Sequence, residues 1–330
     1  MSDQTVYDIT IIGAGPVGLF GAFYAGMRQM KTKIIDGLEE IGGQLTALYP
    51  EKYIFDMPGF PKVLAKDLVR AGAEQGLQYG AEVVLGQKVL TIERREDGTW
   101  RLVSEQGYEH FSRTIMITAG AGSFAPKKLP QVDVSPWEGH GVHYFVKDTS
   151  QFTGKRVLIV GGGDSAVDWA LHLQGVAQQV MLIHRRDRFR AHEESVRQLM
   201  ESDTEVMLFW EITAICGEHH VSSVTLTNNK TGETREVPTN EIILSLGFSA
   251  DIGPIRQWGL ELEGSQIKVN SRMETNLPGV YSAGDVATYD GKLKLIATGT
   301  GEAAIAANFA KTFIDPSSRA FPGHSSEMSP

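Results

Sequence analysis

Two glycine-rich turns of one design constrain this chain more than any other feature. In the first, Ile9–Gly18 (ITIIGAGPVG), a buried strand Asp8–Ile12 runs into Gly13, Gly15, Pro16 and Gly18 in G-x-G-x-x-G spacing. In the second, a strand Lys155–Val160 runs into Gly161, Gly162, Gly163, Asp164, Ser165 and Ala166, a G-x-G-x-x-A turn that continues as helix through Leu173. The first glycine of such a turn permits a tight bend. The second lets a pyrophosphate approach the backbone, and the third position lets helix and strand pack closely. The helix N-terminus adds N–H donors and the positive end of its dipole. Each turn therefore reads as a dinucleotide site.

The two sites differ in charge at equal offset. Asp36 stands 23 residues after Gly13, at the end of the strand Lys33–Asp36, where a carboxylate meets a ribose hydroxyl; His184 stands 23 residues after Gly161, followed by Arg185 and Arg186. A carboxylate there would repel a 2′-phosphate, whereas guanidinium groups bind phosphate oxygens through forked, charge-assisted hydrogen bonds. The second site is therefore expected to take NADP(H), with Arg190 assisting. A solvated basic turn is the competing reading.

At 330 residues the chain exceeds one typical core, so two domains are expected. No apolar run has membrane-spanning length and no signal peptide precedes Asp8, which suggests a cytoplasmic protein. A net charge of −9 argues against nucleic-acid binding. Cys216 is the one cysteine, so neither an intramolecular disulfide nor a CxxC pair can form, and its place near a strand end suggests a structural thiol.

Between the turns, Gly42-Gly43-Gln44-Leu45 allows a ligand close to backbone or makes a simple turn, and Tyr49 and Tyr53 read as partly buried aromatics. Residues 63–79 form an amphipathic pattern, and 82–118 alternate as strands with a hairpin at Glu96-Asp97-Gly98. Residues 205–247 repeat the β pattern, with a hairpin loop at Asn228–Gly232. A short strand, Val280–Asp285, ends in a carboxylate that also suits a plain turn, and an alanine-rich helix spans about Gly301 to Phe313. The tail 315–330 contains Pro, Ser and Gly, a composition that suits a disordered end. The fold class is α/β: two Rossmann-like dinucleotide-binding domains, each a parallel sheet with a β-rich insertion.

Two dinucleotide sites of opposite charge preference resemble those of the two-domain flavoprotein disulfide reductases, and within them the low-molecular-weight thioredoxin reductase branch. The likeness runs nearly end to end, through GAGPVG at 13–18, GGQL at 42–45, TAGAG at 118–122, GGGDSA at 161–166, HRRDRFRA at 184–191 and GVYSAGDV at 279–286. Thioredoxin reductases of this size carry a CxxC just before the second glycine turn. Here Phe145 and Asp148 stand in its place. Without a dithiol, electrons cannot leave by thiolate exchange. The chain therefore most resembles the thioredoxin-reductase-like ferredoxin–NADP⁺ reductases, a match carried by LYPEKYIFDMPGFPK at 48–62, HRRDRFRAHEESV at 184–196 and a short C-terminal extension.

The resemblance implies FAD at the first turn and NADP(H) at the second, with hydride transfer between NADPH and FAD and one-electron exchange with ferredoxin or flavodoxin. It implies an FAD domain of residues 1–119 and 248–330, an NADP(H) domain of 120–247, and an extension, 315–330, over the flavin. It assigns Gln44, Val89, Phe124 and Asp285 to FAD. Tyr49 stacks on one flavin face, and His324, with Ser325 and Ser326, covers the other, commonly from the partner in a homodimer. From the residues alone, Val89 and Phe124 read as core and His324 as a solvated tail residue. Lys127, Lys128, Arg94 and Arg95 are candidates for docking an acidic ferredoxin, or ordinary solvated basics. Rival readings are an NADPH-dependent oxidoreductase of diaphorase type serving flavodoxin, quinone or oxygen, and a non-catalytic redox-sensing flavoprotein.

Overall fold

Strand β1 (Val6–Ile12) is buried on both faces at its C-terminal half, as a central strand covered on both sides must be. The computed structural model describes residues 5–120, 122–146, 148–321 and 323, without the side chains of 123–125 and 248–250. The helices among the described residues are α1 (Pro16–Met27), α2 (Gln44–Leu48), α3 (Ala65–Leu77), α4 (Asp164–Leu173), α5 (Glu193–Met200) and α6 (Ile296–Ile314). No helix among these residues is long and apolar enough to cross a membrane.

The chain divides into two units, 1–123 with 250–330, and 124–249. The crossings lie at 123/124 and 249/250, a few residues beyond the 119/120 and 247/248 boundaries read from the sequence.

In the first unit, β1 lies between β2 (Thr32–Ile35) and the strand Glu109–Ile117. Glu82–Val84 extends the sheet beyond β2, and Val280–Ser282 pairs with Glu109–Ile117; all these pairings are parallel. The strands Val89–Arg94 and Trp100–Ser104 add an antiparallel meander on the far side of Glu109–Ile117. Helices α1 and α6 cover one face, where Leu19, Ala22 and Ala25 of α1 meet Ala303, Ala306 and Ala310 of α6 with Met116 beneath. Small residues allow that close approach.

In the second unit the strands Val142–His143, Glu241–Leu244, Arg156–Val160, Gln179–His184 and Glu205–Leu208 form an all-parallel sheet in that order. The strands Trp210–Gly217, Val221–Asn228 and Thr234–Pro238 form a separate antiparallel sheet. This is the α/β class expected: two parallel sheets, each with antiparallel β structure inserted.

The structure departs from the sequence reading at several ends. Residues 63–64 pair as a short strand with Tyr53–Ile54 before α3 begins at Ala65. Helix α6 starts at Ile296 rather than near Gly301, because its first turn packs on Val17 and Gly284 through Gly299. Cys216 lies near its strand end as expected but is exposed, which does not suit a structural thiol.

Candidate functional site

The two glycine turns are built alike. Gly13 N–H donates to Ile35 O at 2.8 Å and Gly161 N–H to Ile183 O at 3.1 Å. A Cβ at Gly13 would lie 2.5 Å from Thr118 O, and one at Gly161 would lie 2.5 Å from Ser245 O. A third strand thus presses on each turn, which is why only glycine fits there. A Cβ at Gly15 or Gly163 would meet nothing within 4 Å, so the second glycine of each turn faces open space. Gly15 and Gly163 are also the N-caps of α1 and α4, and neither helix start has a side-chain cap. Open backbone at an uncapped helix start suits a diphosphate. Pro16 opens α1, and Gly18 packs directly on Gly13.

Sheet register puts Asp36 and His184 in equivalent places. Ile35 pairs with Ile12, the residue before Gly13, and Ile183 pairs with Val160, the residue before Gly161. Asp36 accepts the backbone N–H of Ala14 at 2.6 Å and of Leu38 at 2.8 Å. Burial raises its carboxyl pKa above the ordinary value, opposed by the N–H groups of Ala14, Leu38 and Gly37.

The loop after His184 folds back on the second glycine turn. The His184 ring packs on Gly162 and stacks on Phe189, centroids 5.2 Å apart. Burial, then the charges of Arg185, Arg186 and Arg190, lower its pKa against the carbonyl of Arg188. Its neutral ring is therefore a spacer within the loop rather than a cation. Arg190 N–H donates to Gly162 O at 2.7 Å, and Asp164 accepts the N–H of His192 at 2.9 Å. The side chains of Arg185, Arg186 and Arg190 are left exposed beside the turn. Ser165 lies in the first turn of α4, and Ala166 is buried against Gly161.

A second cluster in the first unit surrounds Tyr49, the C-cap of α2. Tyr49 packs with Leu45, Leu68 and Ile296. Burial raises its phenol pKa, and the nearby carboxylates of Asp285 and Asp56 raise it further. The Asp285 charge is thus felt at Tyr49 although the two are far apart in sequence. The Gln44 amide approaches Gly120, with 3.1 Å between its nitrogen and a Cβ placed there. Val89 is a core residue packed with Ile12 and Ile35. The side chain of Phe124 and all of His324, Ser325 and Ser326 lie outside the described residues.

Sequence reasoning missed Glu302. It is 3% exposed on α6 and accepts the N–H of Gly284 at 2.8 Å, next to Asp285. A lone glutamate in an alanine-rich helix gives no signal of an inward carboxylate. Of the basic candidates for docking, Lys128 pairs with Glu138 at 2.7 Å and Arg95 with Asp97 at 3.2 Å.

The pyridine nucleotide-disulphide oxidoreductase family model matches residues 7–304. The chain belongs to that family. The ferredoxin–NADP reductase of Geobacillus kaustophilus (strain HTA426) is 53% identical to it over 327 residues, covering 99% of this chain and 98% of its own. The ferredoxin–NADP reductase of Symbiobacterium thermophilum is 53% identical over 329 residues, covering 98% of each. Two solved structures share the fold. The T. acidophilum thioredoxin reductase superposes with a TM-score of 0.79 at 26% identity, covering 96% of this chain and 100% of its own. The Lactococcus lactis thioredoxin reductase (FR conformation) gives 0.78 at 29% identity, covering 93% and 99%.

Within this family member, the segment before the second glycine turn is fixed by packing. Val146 is fully buried, and Asp148 caps the turn Thr149–Phe152 by accepting Ser150 N–H at 2.9 Å.

Proposed function

We propose that this chain is a ferredoxin–NADP⁺ reductase, carrying electrons between NADP(H) and ferredoxin or flavodoxin through bound FAD. The observation that carries the reading is the segment 145–148. In a chain with the fold of thioredoxin reductases, Phe145 and a capping Asp148 occupy the place expected for a dithiol, and Cys216 is the single cysteine. Electrons arriving as a pair must then leave without thiol exchange. FAD, when bound, supplies the change from a two-electron donor to a one-electron acceptor.

The first turn is the FAD site. Gly13, Gly15, Pro16 and Gly18 hold the diphosphate at the start of α1, and Asp36 takes a ribose hydroxyl. Asp285 takes a ribityl hydroxyl, Tyr49 stacks on the flavin, and Gln44, Val89 and Phe124 line it. The fit is supported by the open space at Gly15 and by the packing of Tyr49 on the Leu45 and Leu68 cluster. The second turn is the NADP(H) site: Gly161, Gly163, Asp164, Ser165 and Ala166 hold its diphosphate, with His184 as spacer and Arg185, Arg186 and Arg190 on the 2′-phosphate. The FAD domain corresponds to the first unit and the NADP(H) domain to the second.

The protein acts in the cytoplasm as a homodimer in which His324, Ser325 and Ser326 of one copy reach the flavin of the other. An aromatic cluster favours self-association: Phe23 of α1, beside Phe20 and Tyr24, adjoins Tyr79, which is 47% exposed. NADPH-driven cytochrome c reduction, with and without ferredoxin, tests the function. Acceleration by ferredoxin is expected, and no acceleration would refute it.

A further inference from the structure

Glu302 sits in Gly301-Glu302-Ala303-Ala304, a composition that suits close helix packing, yet its carboxylate is turned into the protein. It accepts the N–H of Gly284 at 2.8 Å, the hydroxyl of Tyr289 at 2.7 Å and the ammonium of Lys292. The Lys292 side chain is itself only 5% exposed. Burying two charges is costly, and a pair of apolar residues of similar bulk would avoid that cost. What an apolar pair lacks is an acceptor for the Gly284 N–H.

That N–H belongs to a turn with demanding geometry. Gly284 has φ +81°, a conformation that side-chain-bearing residues rarely adopt, and Asp285 follows it. A Cβ on Gly299, one helical turn before Glu302, would lie 2.6 Å from Val17 and 3.1 Å from the Gly284 backbone. The start of α6, the first turn of α1 and the Gly284 turn therefore meet at one place. An unmade bond there would leave a buried N–H without an acceptor and the turn free to rotate.

We propose that Glu302 is a positioning residue for the FAD site. It holds the Gly284–Asp285 turn through the Gly284 N–H, and Lys292 and Tyr289 fix its carboxylate in place. The inference rests on the reading of the first unit as an FAD site.

The test is release of FAD from purified holoprotein on dilution, followed by flavin fluorescence. Glu302→Ala is expected to release FAD about tenfold faster than the parent. K292M/E302Q removes both charges but keeps an acceptor for Gly284, and is expected to stay within about threefold of the parent. K292M/E302L removes the charges and the acceptor at similar bulk, and is expected to match Glu302→Ala. Equal release from the two double variants would overturn the proposal, since the pair would then serve packing or charge balance alone. Release from Glu302→Ala at the parent rate would overturn it as well. Should a double variant not fold, the comparison is made between Glu302→Gln and Glu302→Ala, where equal rates overturn it. Parent protein that neither carries FAD nor takes it up would overturn the FAD reading itself, and this inference with it.

Discussion

Asp36 accepts the backbone N–H of Ala14 over 2.6 Å, tying the end of β2 to the middle of the first glycine turn. Its carboxyl pKa lies above the ordinary value because burial outweighs the N–H groups that oppose it. A carboxyl raised in the folded state favours folding at low pH, and that advantage is lost as pH rises through the folded pKa. At neutral pH the Asp36 charge is therefore a burden on the cofactor-free fold. Asp36→Asn should leave the urea stability of FAD-free protein at pH 7 unchanged or higher. The same change should weaken FAD binding about tenfold, from one lost charge-assisted hydrogen bond. Parallel urea unfolding and FAD titration check both.

Arg185 and Arg186 stand exposed beside Gly162, where a 2′-phosphate would be met by guanidinium forks. The R185A/R186A variant should raise KM for NADPH by about 10- to 100-fold, as one or two charge-assisted contacts are lost. KM for NADH should barely move. Equal loss for both nucleotides would remove these arginines from phosphate recognition.

Glu241 is 1% exposed and accepts His143 at 2.6 Å, Lys155 at 2.5 Å and His220 at 3.0 Å. Burial pushes its carboxyl up, but the three donors outweigh it and hold the pKa at about 2. A depressed carboxyl contributes stability above its unfolded pKa, near 4.5, and loses it as pH falls towards about 2. Glu241→Gln should cost about 2 kcal/mol at pH 7, less than the usual cost of breaking a buried pair because Lys155 and His220 are half exposed. The gap to the parent in denaturant unfolding should narrow as pH drops below 4.5.

Arg28 is 8% exposed and donates to the carbonyl of Arg319 at 2.7 Å and of Ala320 at 3.3 Å, with Asn308 as a third partner. It anchors Arg319 and Ala320, within the extension 315–330. Arg28→Ala should speed protease cleavage after residue 314 several-fold, because the tail's carbonyls lose their donor. Limited proteolysis with mass analysis of the fragments reads this directly.

Much of this was legible because glycine and charge leave strong local marks. Gly13 and Gly161 are legible since a neighbouring carbonyl excludes any Cβ, and the contrast of Asp36 with His184 and the two arginines after it follows from a fixed offset along one βαβ unit. Glu302 and Glu241 are not legible. Their partners, Gly284 and His143, lie far away in sequence and are brought close only by packing. The start of α6 is not legible because Ile296-Ala297-Thr298-Gly299 mixes one alanine with weak helix formers and is held by contacts of Gly299 with Val17 and Gly284. The exposure of Cys216 could not be read from an alternating strand with a register shift between Cys216 and Gly217.

The central claim is that electrons enter this protein in pairs and leave singly without a dithiol. The most direct test is the anaerobic stoichiometry of ferredoxin reduction, read by absorbance while NADPH is added in limiting steps with an NADP⁺-removing system. The account predicts about two ferredoxins reduced per NADPH consumed, by two-electron donor chemistry. NADPH consumed with no ferredoxin reduced would contradict it.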